Sequence, residues 1–394
     1  MSAFHPTRKQ VLWTGAALSL GVLLLVVAAI GRRVRGEAPD PKVIAQLREM
    51  TRPIARTEAT GGTDDLAAFD EVWRGCRVIG LGESTHGTRE FFTLKHRLIQ
   101  RLVEVHGCRL VTMEVSWDRA RAVDAYLQHG IGSAADAVAS MAFWTWNTAE
   151  VLALVEWLRA YNVRHPEDPV RFAGFDPQLP PPAAVPDTET VFGVSAARVR
   201  AQHRKMTDAW WGWTQRVQRD RAMADNVLIF SREEKKGPVV VWAHNGHVRR
   251  AKFWMGNHLA AALGASYLVV GFSTHEGVFN AMKFNNGRLE AAGPVPAPEG
   301  RPGSIEHALH TAGVTVGWLD LRIAKQNPPE LAAWLRRRLE LRSEGAIAEA
   351  DSRTRGFYLE RVADAYDVMI QVDRTSPTKL LRIPTVLQPP SEKH

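Results

Sequence analysis

A chain of 394 residues with 45% apolar content, 13 Trp and 14 Phe can fill a sizeable core, which excludes intrinsic disorder and points to one large domain or two ordinary ones. Lys plus Arg exceed Asp plus Glu by 50 to 42, a formal net charge of +8; five cations (Arg8, Lys9, Arg32, Arg33, Arg35) and two anions (Glu37, Asp40) flank an N-terminal apolar run, leaving about +5 on the rest. The remaining basic residues are scattered and form no stripe interleaved with stacking aromatics, which excludes nucleic acid as a partner, and two cysteines exclude a disulfide scaffold or zinc ribbon.

Val11 to Ile30 is an uncharged run of 20 residues, roughly 30 Å as a helix and long enough to span a bilayer's hydrocarbon core. Residues 1–36 are therefore read as an uncleaved single-pass membrane anchor in preference to a signal peptide, with the lipid bilayer as partner through residues 11–30. Two cations before the run and three after it do not fix the orientation. An extracytoplasmic catalytic domain is the working expectation. Residues 37–64 read as a linker with a short helix around 41–51, residues 65–380 as the catalytic domain, and 381–394 as a tail.

From residue 77 the pattern becomes regular. Arg77–Glu83 reads as a strand, and Thr88–His106 as a helix with Phe91, Leu94, Leu98, Leu102 and Val105 on one face, ended by Gly107. Arg109–Val115 is the next strand, so a strand, a helix and a strand within about 40 residues make a parallel unit. Helices follow near 116–129 and 148–163, then apolar strands at 170–175, 238–243, 267–272, 314–319 and 367–372. Val191 to Phe230 reads as mostly helical, with a Trp cluster at Trp210, Trp211 and Trp213. Proline-rich stretches at 177–186 and 294–302 are loops. The predicted fold is α/β: a mostly parallel central sheet flanked by helices, with a reduced helical lid at 177–230 and an N-terminal transmembrane helix. Cys76 and Cys108 open two strands at the same relative place. In neighbouring parallel strands they would lie within disulfide reach; otherwise they are two half-buried thiols.

Ligands of open parallel sheets bind outside the carboxyl ends of the strands. The strands deliver Glu83 with His86, then Glu114, then Asp176, then His244-Asn245-Gly246-His247 to that edge. Glu83 and Glu114, apolar-flanked and of like charge, are expected to raise one another's pKa. His86 suits a neutral general base toward water, and His244 or His247 an oxyanion donor or second proton carrier. Gly82-Glu83-Ser84-Thr85-His86 has the strand–turn–helix setting of a nucleophile elbow, but His86 stands where the second glycine belongs, which weakens Ser84 as nucleophile. A divalent metal on His244 and His247 is an alternative, with a weaker signature than H-E-x-x-H on a helix. Neither G-x-G-x-x-G nor a Walker lysine is present to cradle phosphate.

At these residues the chain resembles the erythromycin esterase family. The likeness is carried by Gly80-Leu81-Gly82-Glu83-Ser84-Thr85-His86-Gly87, by Glu90-Phe91-Phe92-x-Leu94-Lys95, Glu114, Trp144-x-Trp146-x-x-x-Glu150 and Gly174-Phe175-Asp176, and by Arg219-Asp220-Arg221-x-Met223-Ala224-x-Asn226 and Trp242-Ala243-His244-Asn245-Gly246-His247, over about Asp65 to Pro377. The resemblance implies a hydrolase that cleaves esters, macrolide lactones and hence antibiotic resistance among them, by water activated at a histidine and without a metal or other cofactor. Carried over by position, it implies His86, Glu83, Glu114 and His247 as catalytic residues and His244, Lys95, Asp176, Trp146 and Arg221 as substrate-binding ones. Where some members carry arginine, this chain has Lys95, without the forked donor geometry. The segment between Asp176 and Arg219 is shorter than the lid of many members, which fits a shallower pocket. A non-catalytic binding module in envelope or polysaccharide biosynthesis is the rival from another class.

Overall fold

The computed structural model describes residues 38–208, 212–285, 288–348 and 356–381. Alternating strands and helices build one twisted sheet with helices on both faces. Taken in chain order, the strands that matter are β1 (Arg52–Pro53), β2 (Val78–Leu81), β3 (Leu110–Ser116), β4 (Arg171–Asp176), β5 (Val239–Trp242), β6 (Tyr267–Asn285), β7 (Val316–Asp320) and β8 (Val368–Thr375). The helices are α1 (Pro41–Met50), α2 (Arg89–His106), α3 (Trp117–His129), α4 (Ala149–Arg164), α5 (Ala196–Thr207), α6 (Trp213–Glu233) and α7 (Met255–Leu263).

Across the sheet the order is β1-β7-β8-β6-β2-β5-β3-β4. The six strands from β8 to β4 run parallel, with Val78 opposite both Val239 and Tyr267, and Leu110 opposite Val239 and Arg171. β2, β3 and β5 at the sheet's centre are buried on both faces, which their Val/Ile/Leu-rich text required. Alternate residues serve opposite layers: Ile79, Val111 and Val240 join Leu94 and Leu154 of α2 and α4 in one core, whereas Val78, Leu110 and Val239 join Val199, Met223 and Leu259 of α5, α6 and α7 in the other.

Several expectations are corrected here. The sheet is mixed: β7 is antiparallel to β8, β1 to β7, and Gly293–Ala297 to β6. An apolar run reads the same in either direction, so the sequence did not distinguish these antiparallel neighbours from parallel ones. The transmembrane helix, and with it the membrane-anchored, extracytoplasmic placement, is withdrawn: among the described residues no helix is long and apolar enough to cross a membrane, and residues 11–30 lie outside them. Cys76 and Cys108 are both free, because β5 lies between β2 and β3 and the two cysteines are not on neighbouring strands. Burial pushes their thiols up, to about 11 and about 12. Val105, expected on the buried face of α2, is 53% exposed, since the last turn of the helix runs past the core. The strand expected at 267–272 continues to Asn285 as β6. Between 191 and 230, Val191 and Val194 pair in a short hairpin before α5 and α6.

Candidate active site

The six parallel strands point their carboxyl ends to one edge, and the chemistry-bearing residues collect there. β2 runs into Gly82 and Glu83, and the turn to α2 carries His86. A Cβ on Gly82 would meet the Asn245 side-chain Oδ1 at 2.1 Å, and one on Gly87 the Asn280 carbonyl oxygen at 2.0 Å, so neither position has room for a side chain. The carbonyl of Glu83 accepts from the amide of Asn245 at 2.8 Å, which ties this turn to the loop after β5.

Glu83 is fully buried and saturated. Its Oε1 lies 2.7 Å from His86 Nδ1, and its Oε2 accepts from Lys95 Nζ at 2.6 Å and from Trp242 Nε1 at 3.0 Å. A carboxylate is acceptor-only, so Nδ1–H of the ring donates to it and Nε2 is the nitrogen turned away from Glu83. No described residue hydrogen-bonds that nitrogen. The His86 ring sits edge-on to Trp146 at 5.8 Å and 4.9 Å from the ring of His244. Lys95, on α2, is also fully buried, with its ammonium 4.5 Å from the Trp242 ring centre. Burial pushes its pKa down to about 8, in spite of Glu83.

Glu114, from β3, anchors a second network. Its Oε1 accepts from Arg219 Nη2 at 2.8 Å and lies 3.2 Å from His247 Nε2, while Oε2 accepts the His244 amide at 3.1 Å. Burial alone would raise this carboxyl; His247 and Arg219, with His86, hold it well below the usual range. The expectation of a raised Glu114 is thereby corrected, because this carboxylate has its own cations. Arg219 forks onto Asp176 with Nε–Oδ1 at 3.0 Å and Nη2–Oδ2 at 2.7 Å. His247 Nδ1 lies 2.8 Å from Asp220 Oδ1. Burial works against the His247 cation, but Asp220 and Glu114 outweigh it and push the pKa up to about 10. The ring is an imidazolium at neutral pH, so Arg219 Nη1 at 3.4 Å from its Nε2 is a proximity of two donors rather than a bond.

His244 behaves oppositely. Burial, then His86 and His247, hold its pKa well below the imidazole range. Nδ1 accepts from the Gly246 amide at 3.1 Å, so the proton of the neutral ring is on Nε2, which has no partner. Of the pair on which the metal alternative rests, His247 has both ring nitrogens engaged, by Asp220 and Glu114, and His244 has its Nδ1 engaged. Among the described residues no group of three or more His, Cys, Asp or Glu is arranged to hold a metal ion.

Of the residues singled out in the sequence, Glu83, His86, Lys95, Glu114, Asp176, His244 and His247 are brought together at this edge. Trp146 lies beneath His86 and donates from Nε1 to the Glu114 carbonyl at 3.1 Å. Arg221 is not there: it pairs with Asp225 at 3.3 Å and contacts His258. Arg219 and Asp220 hold the second network instead, and the sequence reading missed both. Helical phase was the available signal, since 219, 223, 226 and 230 share a stripe on α6 that includes buried Met223, Asn226 and Phe230, and Arg221 lies half a turn away.

The erythromycin esterase model matches residues 103–191 and 183–375, more than half of the chain. The chain belongs to the erythromycin esterase family. Bacillus subtilis YbfO, which is named as a hydrolase, is 24% identical over 161 residues, 41% of this chain and 35% of that protein. Escherichia coli erythromycin esterase type II is 26% identical over 113 residues, 29% of this chain and 26% of that enzyme. The chain thus spans about a third or less of the length of these relatives in the matched regions. Among solved structures, a Bacillus cereus protein superposes with a TM-score of 0.73 at 21% identity, covering 86% of this chain and 99% of that one. A succinoglycan biosynthesis protein gives 0.72 at 19% identity, covering 86% and 98%. The erythromycin esterase EreC in its open conformation gives 0.57 at 16% identity, covering 85% and 99%. At such identities these structures share the fold.

Proposed function

We propose that this protein hydrolyses a carboxylic ester or macrolactone with water activated by His86. The observation that carries the reading is the buried Glu83–His86 pair, 2.7 Å apart, which fixes the tautomer and leaves Nε2 as the open base. A water held within hydrogen-bond reach of Nε2 loses its proton to the ring as its oxygen attacks the carbonyl carbon. Glu83 stabilises the imidazolium that forms, and Lys95 and Trp242 hold Glu83. The oxyanion accepts from His244 Nε2–H, the unpartnered donor on the facing ring. Collapse breaks the ester C–O bond, and His86 returns the proton to the departing alkoxide, giving an acid and an alcohol. Glu114 is a positioning residue: it grips the His244 amide and is itself held by Arg219 and His247.

Macrolide lactones are the first substrates to test, because the Escherichia coli relative carries erythromycin in its name. The assay is hydrolysis of a panel of macrolides and simple aryl esters by the full chain, beside His86→Ala, with mass spectrometry in 18O-water. Wild type should insert one labelled oxygen and His86→Ala should be slower by about 10²–10⁴-fold. Equal turnover by the two proteins would overturn His86 as base. Labelling that depends on added divalent metal would favour the metal-dependent alternative, and binding without turnover the binding module.

A further inference from the structure

The catalytic loop continues into an aromatic track that the proposed chemistry does not use. Trp254 stands edge-to-face on His247, with ring centres 5.7 Å apart. Trp213, at the start of α6, meets Trp254 at 6.0 Å and Phe253 at 5.7 Å, at 86° and 88°. Large aromatic side chains are normally covered, yet Trp213 is 55% and Phe253 39% exposed. Phe253 also holds a φ of +78°, disfavoured for a residue with a bulky side chain. Beyond Phe253 lies a cavity of about 380 Å³ between α5, α6 and α7, lined by Phe253, Val217 and Ala222 and by the polar side chains of Gln202, Lys205, Gln218, Arg221, Asp225 and His258.

We infer that Trp213, Phe253 and Trp254, with this cavity, form a subsite for an apolar, ring-bearing part of the ester, remote from the scissile bond; the inference takes the hydrolase reading as its premise. Three features argue for a ring. Trp213 and its neighbours meet near right angles, and such a corner receives a flat group on one face with its edge against the next. The cavity lies within the size range of small-molecule sites. The track begins at His247, in contact with Glu114, so a group resting on it is continuous with an ester held at His86.

The test uses the full chain and 2-naphthol as probe, bound calorimetrically, with turnover of 2-naphthyl acetate and ethyl acetate followed in parallel. Trp213→Ala should weaken 2-naphthol about three- to tenfold, and Val217→Trp, which fills the cavity from an independent position, should do the same; Trp213→Phe should retain most of the affinity. On turnover, Trp213→Ala should raise KM for the naphthyl ester and leave ethyl acetate within about twofold. No binding to wild type, or unchanged affinity in both Trp213→Ala and Val217→Trp, overturns the subsite. Binding that the variants weaken, with no ester turned over, supports the subsite and counts against the hydrolase reading alone.

Discussion

Glu83 and Lys95 are both fully buried and 2.6 Å apart, so removing either charge strands the other, and the cost can be bounded. In Glu83→Gln the abandoned lysine escapes by losing its proton. At pH 7 that costs at most about 3.4 pH units at about 1.4 kcal/mol each, about 5 kcal/mol. In Lys95→Met the carboxylate keeps His86 and Trp242 as donors, and its escape by protonation costs at most about 4 kcal/mol. Each single variant should therefore lose about 3–5 kcal/mol, as expected when one partner of a buried pair is deleted. The double variant Glu83→Gln/Lys95→Met strands no charge and should be more stable than either single one. Urea unfolding of all four proteins at pH 7 measures this, and the coupling should be at least about 2 kcal/mol. Additive losses would refute the reasoning, since they would mean that the two groups do not compensate one another. Catalysis should not follow stability: the double variant still lacks the carboxylate behind His86 and should remain impaired on any ester that wild type cleaves.

Further expectations follow from the same network. Lys95, with its pKa pushed down to about 8, should lose its proton as pH rises past that value, so the rate should fall there; Lys95→Arg should move the limb to higher pH, and an unmoved limb in the pH–rate profile would count against Lys95. His247 has a folded-state pKa of about 10 against about 6.5 unfolded, so its contribution, on the order of 5 kcal/mol, is complete below pH 6.5 and is lost as pH rises towards 10. His247→Gln should accordingly cost more stability at pH 6 than at pH 9.5 in urea titrations, and an equal cost at both would contradict the imidazolium assignment. Arg219→Lys keeps the charge but loses the fork onto Asp176 and should slow turnover, with a smaller effect from Arg221→Lys; matching effects would remove the distinction between the two arginines. Neither cysteine should react with a thiol reagent in the folded protein, and both should react after denaturation; fewer than two thiols then would indicate a bridge.

Strand text, turn text and helix phase identified much of this protein locally. Val78–Leu81, Leu110–Ser116 and Val239–Trp242 are legible because strands buried on both faces must be continuously apolar. Parallel order then sends Glu83, Glu114, Asp176 and His244 to one edge without knowledge of which strand neighbours which. What the text could not decide is lateral order and the direction of the edge strands, because an apolar run reads the same in either direction. Hence β5 between β2 and β3, which separates Cys76 from Cys108, and the antiparallel β1 and β7, came only from the folded chain. The same holds for charge. A carboxylate beside another carboxylate reads as a raised pKa until packing brings Arg219 to Glu114, from a helix 105 residues away. The residue types that can do the chemistry are set by sequence, but protonation and orientation depend on long-range neighbours, which exist only once the helices have packed on the sheet.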